Sequence, residues 1–292
     1  MSLFAIFSDL ATFLLSAEFL LLAQVPNHPN AFTRSRKLPL PALVALLLSG
    51  MRKGIQAELD EFFAHLLQQA QLIRQVSEQA FAQARAKLSP IAFTKLNDWL
   101  IERAMHDGFV PLWNGLRLVA ADASAVRFGL RASHVKRAAL ADQILFGLFL
   151  PGCELMLSAA LYRIQVSERQ MLFEHLDLLC SSDLLLLDRG YPCFWLVAVL
   201  NLRNIPFCMR VEKSGNYGFV AVRNFLRSGL KEQIITLSAP NQQDALDFGC
   251  SKQPQTVRLV RHISSNGQVR VLMTNLLDAT RFPASSLSDL KV

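Results

Sequence analysis

Apolar residues recur at intervals of three and four through the first third of the chain, and in short unbroken or alternating runs beyond it. The first pattern belongs to helices that bury one face, the second to strands. The opening run, MSLFAIFSDLATFLLSAEFLLLAQ, predicts an amphipathic or packed helix. Pro41 to Leu67 predicts helical structure broken at Ser49-Gly50, and Val76 to Leu88 a further helix with Ala80, Phe81, Ala84 and Leu88 on one stripe. Ser89-Pro90 then supplies a cap and a first-turn proline for a helix over AFTKLNDWLIERAM.

The texture changes at Trp113. Leu116 to Ala121 reads as a short buried strand ending on Asp122, followed by a stretch without clear periodicity. Ile144–Leu150 and Glu154–Tyr162 read as a hairpin turned at Pro151-Gly152. A helix capped by Ser167, a leucine run from Asp183 to Asp188, a helix from Pro192 and a strand over Ile205–Val211 complete the order. Three antiparallel-capable strands followed by alternating helix and strand is the order of the ribonuclease-H-like α/β fold. Past Lys213, alternating runs such as TVRLVRHI and QVRVLMTNLL predict a small β-rich region. The expected divisions are a helical domain over 1–112, the core over 113–212, a β-rich insertion over 213–278 and the end of the core over 279–292.

Composition narrows the class. With 52% hydrophobic and 18% charged residues among 292, the chain can bury a large core, which excludes a disordered protein. No window is a clean membrane span: the longest stretch free of Asp, Glu, Lys and Arg, Phe19 to Thr33, contains prolines, asparagines and a histidine. Asp9 and Glu18 interrupt the apolar start, which lacks a basic leader, so a secretory signal is not expected. Five cysteines without short paired spacing imply reduced thiols and a cytoplasmic location, and the scattered histidines disfavour zinc. A net charge of +7 and an isoelectric point near 9.4 favour a polyanionic partner. Much of that charge (Arg34, Arg36, Lys37, Arg52, Lys53, Arg74, Arg85, Lys87) lies in the helical third. It is either a solvated face or a surface that reads DNA.

Two acids stand directly after apolar strands, Asp122 in LRLVAADAS and Asp188 in LLLLDRGY. Residues at strand C-termini of open α/β sheets project into the crevice where ligands bind. Two carboxylates on neighbouring strands are a minimal scaffold for Mg2+, which takes one or two carboxylates and fills its other positions with water and phosphate. The plainer reading is that both acids are turn or cap residues.

The segment SSDLLLLDRGYPCFWLVAVLNLRNIPFCMRV resembles the second-aspartate region of bacterial insertion-sequence DDE transposases of the IS-four group. LVAADASAVRF is similar to their first-aspartate region, QAFAQARAKLSPIAF to an element of their N-terminal domain, and ALYRIQVSERQ to their third strand and following helix. The resemblance spans roughly Phe32 to Asp289. It implies a ribonuclease-H-like core and Mg2+-dependent cleavage of transposon ends followed by strand transfer, with Mn2+ as a substitute cation. It further implies double-stranded DNA (terminal repeats and target) as partner, a homodimer on DNA and a nucleoid-associated location. Asp122 and Asp188 would be the catalytic, metal-binding carboxylates, and Arg189, Tyr191 and Arg210 DNA contacts. Loop packing is the alternative for Arg189 and Tyr191, and a surface strand position for Arg210.

The pattern departs from the family at its end. The third carboxylate of the group lies in a helix spaced Tyr-x2-Arg-x3-Glu-x6-Lys, after a segment resembling Met273–Leu290. Only Lys291 and Val292 follow that segment here, so the expectation is a truncated chain with impaired catalysis. Tyr162-Arg163 followed by Glu168 imitates the motif at the wrong spacing; Glu212, Glu232 and Asp289 are no better placed. The alternative function is a non-catalytic DNA-binding regulator or inhibitor of the full-length enzyme.

Overall fold

The computed structural model describes residues 3–34, 36–69, 71–126, 142–211, 219–263 and 267–290. The aperiodic segment after Val126, the opening of the β-rich stretch at Asn216, Glu212 and the last two residues lie outside them. The chain divides into two compact units, residues 1–103 and 104–292.

The first unit is helical: α1 (Leu3–Leu14), α2 (Ala17–Ala23), α3 (Leu40–Leu48), α4 (Ile55–Leu66), α5 (Glu78–Arg85) and α6 (Ile91–His106), the boundary falling inside α6. The apolar start is two helices rather than one. Ser16 leaves the helical conformation and caps α2 by accepting a hydrogen bond from Phe19 N, which bends the run by 62°. Among the described residues no single helix is long and apolar enough to cross a membrane; the bent pair reaches that length and composition only jointly. Phe19, Leu43, Leu46, Leu59, Phe81 and Ala92 form the buried centre. Their helical spacing is what the hydrophobic pattern reports.

The second unit is a mixed α/β layer built on one large sheet. Its described elements are β1 (Leu112–Trp113), β2 (Leu116–Val126), β3 (Gln143–Leu150), β4 (Leu155–Arg163), α7 (Glu168–His175), β5 (Asp183–Leu187), α8 (Phe194–Leu202), β6 (Phe207–Val211), α9 (Val220–Ser228), β7 (Glu232–Leu237), α10 (Gln242–Asp247), β8 (Gln255–Ile263), β9 (Val269–Thr274) and α11 (Ala284–Ser288). The strand order is β4-β3-β2-β5-β6-β9-β8-β7, with β1 attached to β2. β5 pairs parallel with both β2 and β6, and the remaining pairings are antiparallel. Every residue of β5 is buried, so the leucine run from Leu184 to Leu187 carries no alternation.

The strands of the β-rich stretch, β7 to β9, extend the same sheet, β9 pairing with β6. That stretch is not all strand. The stretch before and between them contains helices α9 and α10. α9 buries Val222 and Phe225 at helical spacing and stops at Gly229 in the left-handed conformation (φ 73°), a signal overlooked among short polar runs. Asn241 caps α10 by accepting from Asp244 N.

Two cations, Arg258 buried and Arg117 partly buried, tie the layer together. Arg258 is ion-paired with Glu232 and donates to Phe282 O at 2.7 Å, joining β8 to β7 and to the segment before α11. Arg117 Nε and Nη2 donate to the Asp183 carboxylate at 2.6 and 2.9 Å, and Cys180 N donates to its Oδ2. Arg117 and Asp183 are also register partners at the first rung of the β2–β5 ladder. Removing one member of a buried pair leaves an uncompensated charge. Asp183→Ala should therefore lose about 3 kcal/mol or more of unfolding free energy in urea titrations; a loss under about 1 kcal/mol would show that the pair does not hold the ladder.

Candidate active site

The parallel pairing sets the geometry. Ala121 is the partner of Leu187, and Leu187 the partner of Met209. The next residues on the three segments are Asp122, Asp188 and Arg210, so these side chains arise at one level from adjacent strand positions. Neighbouring strands lie about 4.8 Å apart, which sets the spacing from which the two acids reach outward. Arg210 Nη1 lies 4.0 Å from Asp188 Oδ1.

Asp122 does not end its strand, contrary to the sequence reading. β2 continues to Val126 in pairing with β3, and Asp122 stands opposite Gly147. What ends at Ala121 is the ladder with β5. Asp122 is exposed where β2 parts from β5, and its Oδ1 accepts from Ala123 N at 2.8 Å. Asp188 is the first residue past β5, with its side chain 60% exposed.

The loop after Asp188 is stitched to the start of α7. Tyr191 N donates to Asp188 O at 3.2 Å, closing a turn. Arg169 Nε donates to Gly190 O at 3.1 Å and Tyr191 O at 3.0 Å, and its Nη2 to Pro192 O at 3.4 Å. Ser167 caps α7 by accepting from Gln170 N. Glu168, the first helical residue, is thereby held against the loop; a Cβ on Gly190 would lie 3.4 Å from its Oε2.

Glu168 is the residue that spacing alone set aside. Burial, then the charges of Asp122 and Asp188, raise its carboxyl above the ordinary range. It thus stands in the field of both aspartates, although 46 residues separate it from one and 20 from the other. The available signal was positional: it opens the helix that follows the hairpin packed beside β2. Arg169 was missed as well, because its partners are backbone carbonyls that no motif records.

Tyr191 requires a correction. It is 1% exposed, and so packs beneath the loop and is not presented to DNA. Its hydroxyl has no hydrogen-bond partner. Burial, then Glu168, Asp122 and Asp188, push its ionisation upward, which puts the phenol in the same negative field. Arg189 is exposed in the loop. Of the five residues expected from sequence, Asp122, Asp188 and Arg210 converge, Arg189 lies beside them and Tyr191 lies underneath.

Asp122, inside β2, and Asp188, just past β5, are the two exposed carboxylates that could hold a single hydrated Mg2+, which takes one or two from protein. Among the described residues no three His, Cys, Asp or Glu side chains are grouped so as to hold a metal ion, so Glu168 shares the field without completing a ligand set. No protein-family model matches the chain. No curated protein matches it either.

Two outcomes test this arrangement. Because the folded state holds the Glu168 proton to higher pH than the unfolded chain does, stability falls as pH rises from the unfolded carboxylate value through the folded one. Glu168→Gln removes that fall, so the variant should gain on the wild type in urea midpoints as pH rises above the ordinary carboxylate range. Identical pH profiles would take Glu168 out of the aspartates' field. Tyr191→Phe, which deletes an unsatisfied buried hydroxyl, should leave stability unchanged or raise it by about 1 kcal/mol.

Proposed function

We propose that the chain is a DDE-type transposase whose ribonuclease-H-like core uses Asp122 and Asp188 as metal-binding carboxylates in phosphodiester cleavage and strand transfer on DNA. The observation that carries this reading is the emergence of both acids at one level where β2 parts from β5. The strand order β4-β3-β2-β5-β6, antiparallel for the first pairs and parallel for the next, supports the same core. Sequence resemblance adds the reaction class.

Asp122 and Asp188 would hold Mg2+, or Mn2+ in its place, and the ion when bound would polarise a phosphoryl oxygen and acidify a water. The remaining work falls to the chain. Arg210 offsets the charge of Asp188 and offers a donor to a phosphate oxygen. Glu168, held protonated to higher pH than an ordinary carboxyl, is suited to exchange a proton at the edge of the site. Arg169 fixes the loop that carries both Gly190 and Tyr191.

A second reading, a DNA-binding regulator without catalysis, is favoured by the same Arg210, which stands beside Asp188 where a cation would otherwise compensate it. Two measurements separate the readings. Mn2+ binding followed by electron paramagnetic resonance should weaken at least about tenfold in Asp122→Asn and in Asp188→Asn. Incubation of the chain with DNA carrying the sequences that flank its own gene, in Mg2+ or Mn2+, should yield at most weak end cleavage, in keeping with the impaired catalysis expected from sequence, and both variants should lose it. Binding of Mn2+ and DNA without cleavage supports the regulator, and Mn2+ binding indifferent to both substitutions defeats the metal assignment.

A further inference from the structure

The helical unit contains a cavity of about 590 Å3 that the proposed chemistry does not use. One wall is the segment between α2 and α3, which brings Arg34, Arg36 and Lys37 to the rim. Prolines at 26, 29 and 39 keep this segment from continuing as helix, and Gln24 Nε2 closes it by donating to Ala31 O at 2.8 Å. The opposite wall is one face of α5 and the residues just past it: Ala80, Gln83, Ala84 and Lys87 fall at helical spacing toward the cavity. The alanines leave the space, and Gln83 and Lys87 line it with polar ends.

Two features distinguish this cavity from a solvated basic face. No carboxylate lines it, although four cations do. The ion pairs shown for this unit lie elsewhere, at Lys53–Glu61, Lys95–Asp98 and Arg103–Asp9. Second, Phe32 in the wall adopts φ 62°, a conformation that is a true outlier for a bulky side chain. Such local strain gathers where a segment is shaped for binding. Cations converging from two walls without a counter-charge repel one another, and an anion between them relieves that repulsion.

We propose that this cavity binds a phosphate group of the DNA backbone. Its volume accommodates a nucleotide-sized portion of a strand, and its concavity encloses an anion from two sides in a way a flat membrane surface does not match. The assignment rests on DNA as the substrate of the proposed enzyme, but not on its metal site.

The test is a fluorescence-anisotropy titration of the full chain with a labelled DNA duplex across a salt series. Arg36→Ala and Lys87→Ala should each make the slope of log K against log salt shallower, by at most about 0.9, the value of one phosphate contact. Lys53→Ala and Lys95→Ala remove the same charge from residues already ion-paired and should leave the slope unchanged. Equal effects in all four variants, or none at Arg36 and Lys87, overturn the proposal. Amine acetylation read by mass spectrometry repeats the test on the unaltered protein: duplex should shield Lys37 and Lys87 but not Lys53 or Lys95. A mononucleotide or inorganic phosphate that shields the two lysines as well as duplex does would assign the cavity to a free phosphate and overturn the DNA assignment. Cavity variants that behave as wild type in a chain that still binds DNA defeat only this inference, whereas no DNA binding at all defeats both.

Discussion

The register of one parallel strand pair governs the second unit. Arg117 and Asp183 face each other at its first rung as a bidentate ion pair, with Asp183 wholly removed from solvent. Five residues further on, one strand has reached Asp122 and the other has just passed its end at Asp188. A slip of one residue would turn every side chain of the slipped strand to the opposite face. It would also strand a charge in the interior, where the cost of an unmatched ion far exceeds that of a shifted apolar contact. The buried pair at one end of the ladder thus specifies the position of the exposed pair at the other.

At that exposed end, electrostatics and burial act against one another. Three acids share a small region, and the ordinary response of such a group is to retain a proton on the member least able to be solvated. Here that member is Glu168, pressed against the loop. Positive charge is supplied from two directions, by Arg210 on the neighbouring strand and by Arg169 beneath the loop. The arrangement is therefore neither a closed ion cage nor a neutral surface. It is a negative shelf with a cationic edge.

Much of this was legible from residue order. The leucines before Asp188, the Ser167 cap and the hairpin at Pro151-Gly152 are local signals, and local signals survive into the structure. The register partnership of Arg117 and Asp183 was not legible, because 66 positions separate two residues whose pairing depends on strand order. Glu168 was passed over for the same reason: a linear motif measures distance along the chain, while its field comes from a helix folded back across the sheet. α9 escaped notice because it is short and Arg223, Asn224 and Arg227 break up its apolar positions, although Gly229 marks its end. Tyr191 was read by its neighbours, Arg189 and Gly190, rather than by its own bulk, which the loop tucks inward.

The clamp that Arg169 forms on the carbonyls of Gly190, Tyr191 and Pro192 makes the first turn of α7 and the loop one mechanical piece. A methyl group on Gly190 would come into contact with the Glu168 carboxylate, at 3.4 Å. Tilting the helix would drag the chain just downstream of Asp188 with it. The position of α7 and the course of the chain just past Asp188 are in this way set together.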